Sequence, residues 1–185
     1  KRENIEPRLD NSSVLALVER VTGNPRYAQV LSVEQIKGEQ VGMDVYEIFD
    51  QGEGICIRAT SGTAACAAFN WYLQERCGCF VGPLTKRLCL PERPPKVGGH
   101  RRVASPFLYR YFFNYCTFGY TTAFWKWEQY ERLTDWMLLS GVNLVLNPIG
   151  HEAVWRDLLA ELGYQKRQIN DFLAGPLYLP WQWML

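Results

Sequence analysis

Two apolar, β-prone runs separated by one amphipathic helical pattern constrain this chain more than any other feature. The first is FLYRYFFNYC, Phe107 to Cys116, and the second is VNLVLN, Val142 to Asn147. A strand that is apolar on both sides of its pleat suits a sheet covered on both faces, as parallel strands are. Between the runs, FWKWEQYERLTDWMLLSG places Trp127, Tyr130, Leu133, Trp136 or Met137, and Leu138 at steps of three and four, with Gly141 as the stop. HEAVWRDLLAELG follows as a second helix, with Val154, Trp155, Leu158 and Leu159 on one side and Gly163 at its end; QKRQINDFLAGP reads as a further short helix. Strand, helix, strand, helix is a βαβα repeat with a right-handed crossover. Ligands of such repeats sit at the carboxyl ends of the strands. That places Asn114, Tyr115 and Cys116 at the exit of the first strand and Asn147 at the exit of the second.

The twenty-eight residues from Arg110 to Met137 are crowded with aromatics. Those before Asn114 are expected in the strand core. Trp127, Tyr130 and Trp136 recur at helical spacing and are expected between helix and sheet. Tyr120 and Trp125 fall in the loop without a packing period, and loops on a rigid scaffold carry function disproportionately. A sugar is one ligand that uses this mixture: flat apolar faces to stack on, and amides or hydroxyls for its own hydroxyls.

The first half reads differently. SSVLALVERVTG is an amphipathic helix ending at Gly23, with Asn11 or Ser12 as its expected cap. Asn11-Ser12-Ser13 also fits an N-glycosylation acceptor, for which the capping role is the plainer explanation. YAQVLSV and MDVYEIFD are strand candidates; QGEG is a turn, and ICIRAT is the partner strand of a hairpin. SGTAACAAFNWYLQERCG is a helix whose opening turns carry little bulk, so that it can lie close against a sheet. Ser61-Gly62-Thr63 before it lacks the spacing of a phosphate loop and reads as helix entry. LPERPPKVGGH is a boundary, and His100, Arg101 and Arg102 are expected in a solvated linker.

Composition excludes several classes. The 185 residues carry a net charge of +1 with mixed signs, so no basic face marks a nucleic-acid partner. No apolar stretch reaches the roughly 18 residues of a membrane span, and Lys1–Pro7 has no apolar signal core. Among six cysteines the one close pair is Cys77-Gly78-Cys79, and two histidines offer little co-ligation, so no metal and no cofactor are expected. Cys66 reads as a buried thiol, and disulfide pairing stays open.

The string from Arg110 to Trp155, with INDFLAGPLYLPWQWM from Ile169 to Met184, closely resembles the alpha-N-acetylglucosaminidases of glycoside hydrolase family 89. ATSGTAACAAFNWYLQERCGC, Ala59 to Cys79, resembles the small domain that precedes the barrel in that family. The resemblance implies an α/β class: a small N-terminal α/β (α+β) domain over residues 1–98, then the first βα units of a TIM-type (β/α)8 barrel over 99–185, incomplete in this chain. It implies retaining hydrolysis of terminal alpha-linked N-acetylglucosamine from glycans, of the heparan sulfate type in lysosomal relatives, by two carboxylates about 5 Å apart. It also implies a lysosomal, secreted or periplasmic setting. As carried over, Asn114 and Cys116 end the first barrel strand and face the sugar, Tyr120 belongs to the same loop, and Trp181 lines the pocket rim. Asn114 would bond sugar hydroxyls, Cys116 would be a small soft wall, and Tyr120 and Trp181 would supply apolar faces. The bland alternatives are a turn cap, an inert thiol and core packing.

No catalytic carboxylate is expected in this chain, because the family's catalytic glutamates arise from later strands. Glu152, at a helix start after the second strand, reads as structural, and His151 departs from the glutamine of the pattern. A closed barrel needs roughly 250 residues, far more than follow the boundary. The chain is therefore expected to be part of a larger protein, completed by the rest of its barrel and a helical C-terminal domain, and inactive alone. The alternative is a non-catalytic carbohydrate-binding or interaction module derived from that family.

Overall fold

The computed structural model describes residues 9–38, 42–146, 150–175 and 177–182. Packing divides the chain into two compact units, Lys1–Arg110 with Tyr130–Asn143, and Tyr111–Gln129 with Leu144–Leu185. The sequence division after residue 98 differs from this one, because packing assigns residues 99–110 and most of one later helix to the first unit.

The first unit opens with α1 (Asn11–Thr22) and the single-turn α2 (Pro25–Gln29), then β1 (Leu31–Gln35), β2 (Val45–Gln51), β3 (Gly54–Ala59) and α3 (Gly62–Glu75). A two-residue ribbon, β4 (Phe80–Val81) with β5 (Lys86–Arg87), and the strand β6 (His100–Ala104) complete its sheets. The main sheet runs β1-β3-β2-β6, with β1 parallel to β3 and the other pairs antiparallel. The hairpin β2–β3 and the low-bulk helix are where the sequence places them. Ala64, Ala65, Cys66 and Ala68 are buried and bring α3 close to the sheet, while fully buried Phe69, Tyr72 and Leu73 fill the wider end. Burying each of these three larger side chains stabilises the fold by roughly 1.5–3 kcal/mol.

Several local expectations are corrected. The cap of α1 is Asp10, whose carboxylate accepts from the Ser12 amide at 3.1 Å and from the Ser13 hydroxyl at 2.5 Å. Asn11 turns the other way, and its amide donates to the Val33 carbonyl at 2.7 Å. Tyr27, expected in a strand, lies in α2, which Asn24 caps and Pro25 starts. Its buried ring places the hydroxyl 3.0 Å from the Pro91 carbonyl. His100, Arg101 and Arg102 are strand rather than linker: β6 pairs with β2 because Glu47 offers Arg102 a carboxylate across the ladder, 2.6 Å away. At the hairpin turn only glycine fits position 54, where a Cβ would meet the Val30 carbonyl oxygen at 2.7 Å.

Most of α5 (Trp127–Leu139) packs with the first unit. Leu133, Met137 and Leu139 are buried, and buried Asp135 receives a two-pronged contact from Arg20 of α1, at 2.7 and 3.1 Å. Trp127, expected against the sheet, is 70% exposed, since it stands on the turn of α5 that belongs to the second unit.

The second unit contains β7 (Tyr111–Phe112), α4 (Tyr115–Gly119), β8 (Leu144–Val145), α6 (His151–Glu161), α7 (Lys166–Phe172) and α8 (Leu179–Gln182). β7 and β8 pair in parallel, Tyr111 with Leu144 and Phe112 with Val145, so the βα order inferred from sequence holds. Their burial does not. Tyr111, Leu144 and Val145 are exposed, and none of the described residues of α6 is buried, Val154 being 67% exposed. The apolar stripe is present but only partly covered: Trp155 and Leu159 are half-buried, the Trp155 ring standing 5.9 Å from Phe172 of α7, centroid to centroid, while Val154 and Leu158 stay exposed. A closed barrel is not present among the described residues.

Two outcomes follow from the first unit. Ser61 is the buried N-cap of α3; its hydroxyl accepts from the Ala64 amide at 3.1 Å and donates to Asp44 at 2.5 Å. Ser61→Ala is expected to cost about 1–2 kcal/mol in urea denaturation. Burial raises the Cys66 thiol from 9.0 to about 12 and the Cys77 thiol to about 11. Because the folded values lie above the unfolded one, this contribution is complete below pH 9 and is lost as pH rises through 11 to 12. Thermal melts should therefore fall with rising pH above 9, and less steeply in Cys66→Ala.

Candidate functional site

The exit of β7 is built from an unusual backbone. Phe113 has φ 89°, the one described non-glycine residue in the left-handed region. A bulky side chain there is strained and persists only where its surroundings hold it. Phe113 is buried, with its ring 4.5 Å from Phe118 and 5.2 Å from Phe112, centroid to centroid. The bend it makes turns the strand directly into α4.

Asn114 follows as the N-cap of α4. Its amide oxygen accepts from both the backbone N–H and the hydroxyl of Thr117, each at 3.1 Å. The capping alternative is thus realised for the oxygen, while the amide nitrogen takes no part in the cap. Asn114 and Cys116 are both exposed in this chain. Tyr120 closes α4 as its C-terminal cap residue and is 71% exposed. Trp181 lies on α8, which packs beside α4, and is 42% exposed. Gln182 ties α8 back to the end of α7, accepting from the Ala174 amide at 2.7 Å and donating to the Phe172 carbonyl at 3.0 Å. The structure therefore brings the elements carrying all four expected residues side by side, with those residues at the surface. Asn147, expected at the second strand's exit, lies outside the described residues.

Glu152 occupies the first turn of α6, whose cap Gly150 offers no side chain. A carboxylate there is favoured by the unsatisfied N–H groups of the helix start, which agrees with a structural role. Among the described residues, no group of three His, Cys, Asp or Glu side chains converges as metal ligands would, and no helix is long and apolar enough to cross a membrane.

Sequence reasoning passed over two features near this corner. Phe113 carries no signature, since nothing in a run of aromatics marks the one with positive φ. Asn143 accepts from the Arg110 amide at 2.8 Å and donates to the Leu108 carbonyl at 2.9 Å, joining the approaches to both strands within the first unit. Its place at the start of the second apolar run was the available signal.

An α/β module leading into parallel βα units, with polar and aromatic residues at the first strand's exit, defines the class. Known proteins narrow it. A family model described as "Alpha-N-acetylglucosaminidase (NAGLU) N-terminal domain" matches residues 12–96, and one described as "Alpha-N-acetylglucosaminidase (NAGLU) tim-barrel domain" matches residues 110–185. The alpha-N-acetylglucosaminidase of Homo sapiens is 38% identical over 172 residues, 92% of this chain and 23% of its own length. A family 89 glycoside hydrolase from Clostridium perfringens in complex with PUGNAc is 35% identical with a TM-score of 0.83, covering 94% of this chain and 20% of that one. The same values hold for a form with two glutamate-to-glutamine substitutions in complex with its substrate GlcNAc-alpha-1,4-galactose. The chain belongs to the alpha-N-acetylglucosaminidase family, glycoside hydrolase family 89. It spans about a fifth of the length of these relatives.

Thiol accessibility follows from the burial pattern. Cys89 and Cys116 are exposed, whereas Cys56, Cys66, Cys77 and Cys79 are buried. Iodoacetamide at pH 8 should label Cys89 and Cys116 in the folded protein and all six cysteines only in denaturant, as read by mass spectrometry.

Proposed function

We propose that this chain is the N-terminal domain and barrel opening of an enzyme that hydrolyses terminal alpha-linked N-acetylglucosamine from glycans with retention. The observation that carries the reading is the likeness over 94% of the chain, at 35% identity, to a relative solved with GlcNAc-alpha-1,4-galactose. That relative held its substrate with two glutamates changed to glutamine, which agrees with a two-carboxylate mechanism.

In this reading the corner supplies recognition rather than proton transfer. Asn114 gives an amide whose oxygen is fixed by the cap and whose nitrogen has two hydrogens for a sugar hydroxyl. Cys116 is a small soft wall, and Tyr120 and Trp181 present flat apolar faces. The strained turn at Phe113 holds Asn114 in place before a ligand arrives, so less ordering is left to binding. The two catalytic carboxylates come from outside these residues, and the partner of β7 and β8 is the remainder of the same barrel with its helical domain. A lysosomal, secreted or periplasmic setting agrees with such a substrate.

The test uses a 4-nitrophenyl alpha-N-acetylglucosaminide. The 185-residue chain alone should give no turnover. The whole protein carrying it should turn over, and Asn114→Ala there should lower kcat/KM by about a hundredfold. Steady turnover by the isolated chain, or an Asn114→Ala enzyme as active as the parent, would overturn the corresponding part of the reading.

A further inference from the structure

Away from the strand exit, the first unit holds two guanidinium groups on one indole. Trp71 lies late in α3 and is half-buried against the core. The Arg76 guanidinium carbon stands 5.3 Å from the centre of its ring, and that of Arg101 stands 4.9 Å from it. Arg76 is the C-terminal cap residue of α3, where a cation is favoured by the free carbonyl ends. Arg101 reaches over from the edge strand β6. The two charges are thus held no more than about 10 Å apart, a Debye length at 0.1 M salt.

These two arginines differ from Arg58 and Arg102 of the main sheet. Arg58 pairs with Glu34 and Glu47, and Arg102 pairs with Glu47. Among the described residues neither Arg76 nor Arg101 pairs with a carboxylate, and Glu75, adjacent to Arg76 in sequence, is exposed and forms no such pair. A guanidinium held over an aromatic ring is attracted to the ring and can still donate from its N–H groups. Two like charges set on one ring repel each other unless an anion joins them. The arrangement therefore suits a planar or tetrahedral oxyanion, accepting several N–H bonds at once.

We propose that Arg76 and Arg101, ordered on Trp71, bind the sulfate or carboxylate substituent of an acidic glycan. The glycan as the source of that anion rests on the glycosidase reading above; the anion chemistry does not. The site lies on the first unit, apart in sequence and in element from the Asn114 corner, and would hold a chain rather than cut it.

The experiment follows the Trp71 indole N–H resonance of the 185-residue chain by NMR. The probes are a sulfated glucosaminoglycan hexasaccharide with no terminal N-acetylglucosamine, its desulfated counterpart, inorganic sulfate and a single-stranded oligonucleotide. The sulfated sugar should shift the resonance saturably. Arg76→Gln and Arg101→Gln should each weaken binding about tenfold or more. Arg101→Lys should weaken it less, and Arg132→Gln, an exposed charge on another helix, should leave it unchanged. Equal binding by both Gln variants, by the desulfated sugar, by inorganic sulfate or by the oligonucleotide would overturn the proposal. Because the probe has no terminal N-acetylglucosamine, this result is independent of whether the Asn114 corner binds one.

Discussion

The carboxylate of Asp44 holds the first unit together at the point where the chain leaves it. One small acid accepts from the Ser61 hydroxyl that caps α3, from the Thr60 hydroxyl and from the Arg110 guanidinium, while its backbone carbonyl accepts from Ser105 just past β6. Arg110 in turn donates to the carbonyls of Gly141 and Phe107. The start of β2, the start of α3, the end of β6 and the end of α5 thus converge on two opposite charges. Both are mostly buried, so each charge is tolerable only with the other present. Neither can be exchanged alone without leaving an unpaired ion in a site that water hardly reaches.

The second unit is organised on the opposite principle. Its helices and its two parallel strands carry the apolar side chains that such elements ordinarily bury, yet Tyr111, Leu144, Val145, Val154 and Leu158 stay at the surface. Parallel strands are rarely left open on both faces. The exposed set is continuous with the requirement of the family fold, in which a strand pair of this kind is an arc of a larger cylinder, and with a chain that spans about a fifth of its relatives. The candidate site shares this property: its residues are gathered on α4 and α8 and, among the described residues, stand at the surface.

What could be read from sequence divides along physical lines. The helices α1, α3 and α5 and the β2–β3 hairpin were legible because periodicity and turn residues are local. The βαβ order was legible for the same reason. Burial in the second unit was not, since an apolar stripe states what a surface wants and not whether a partner is there. β6 was hidden by its composition: His100, Arg101 and Arg102 look solvated until Glu47 faces them across the ladder. The site residues Asn114, Cys116, Tyr120 and Trp181 came from the family likeness, with strand-exit position in support. The left-handed turn at Phe113 could not be foreseen, because the penalty it carries is met by two other aromatic rings and not by any choice of residue at that position.

The proline-rich segment between the halves shows what two hydroxyl groups can do to a stretch that composition marks as a hinge. Proline gives up its own N–H but keeps a good acceptor, and the buried tyrosines of α2 and α3 reach the carbonyls of Pro91 and Pro95. Val97 and Gly98 then dock their amides on Asp50, at 2.8 and 2.9 Å. The segment is a strap laced onto the domain's flank, so lengthening it would loosen the domain itself before it gave the chain any added reach.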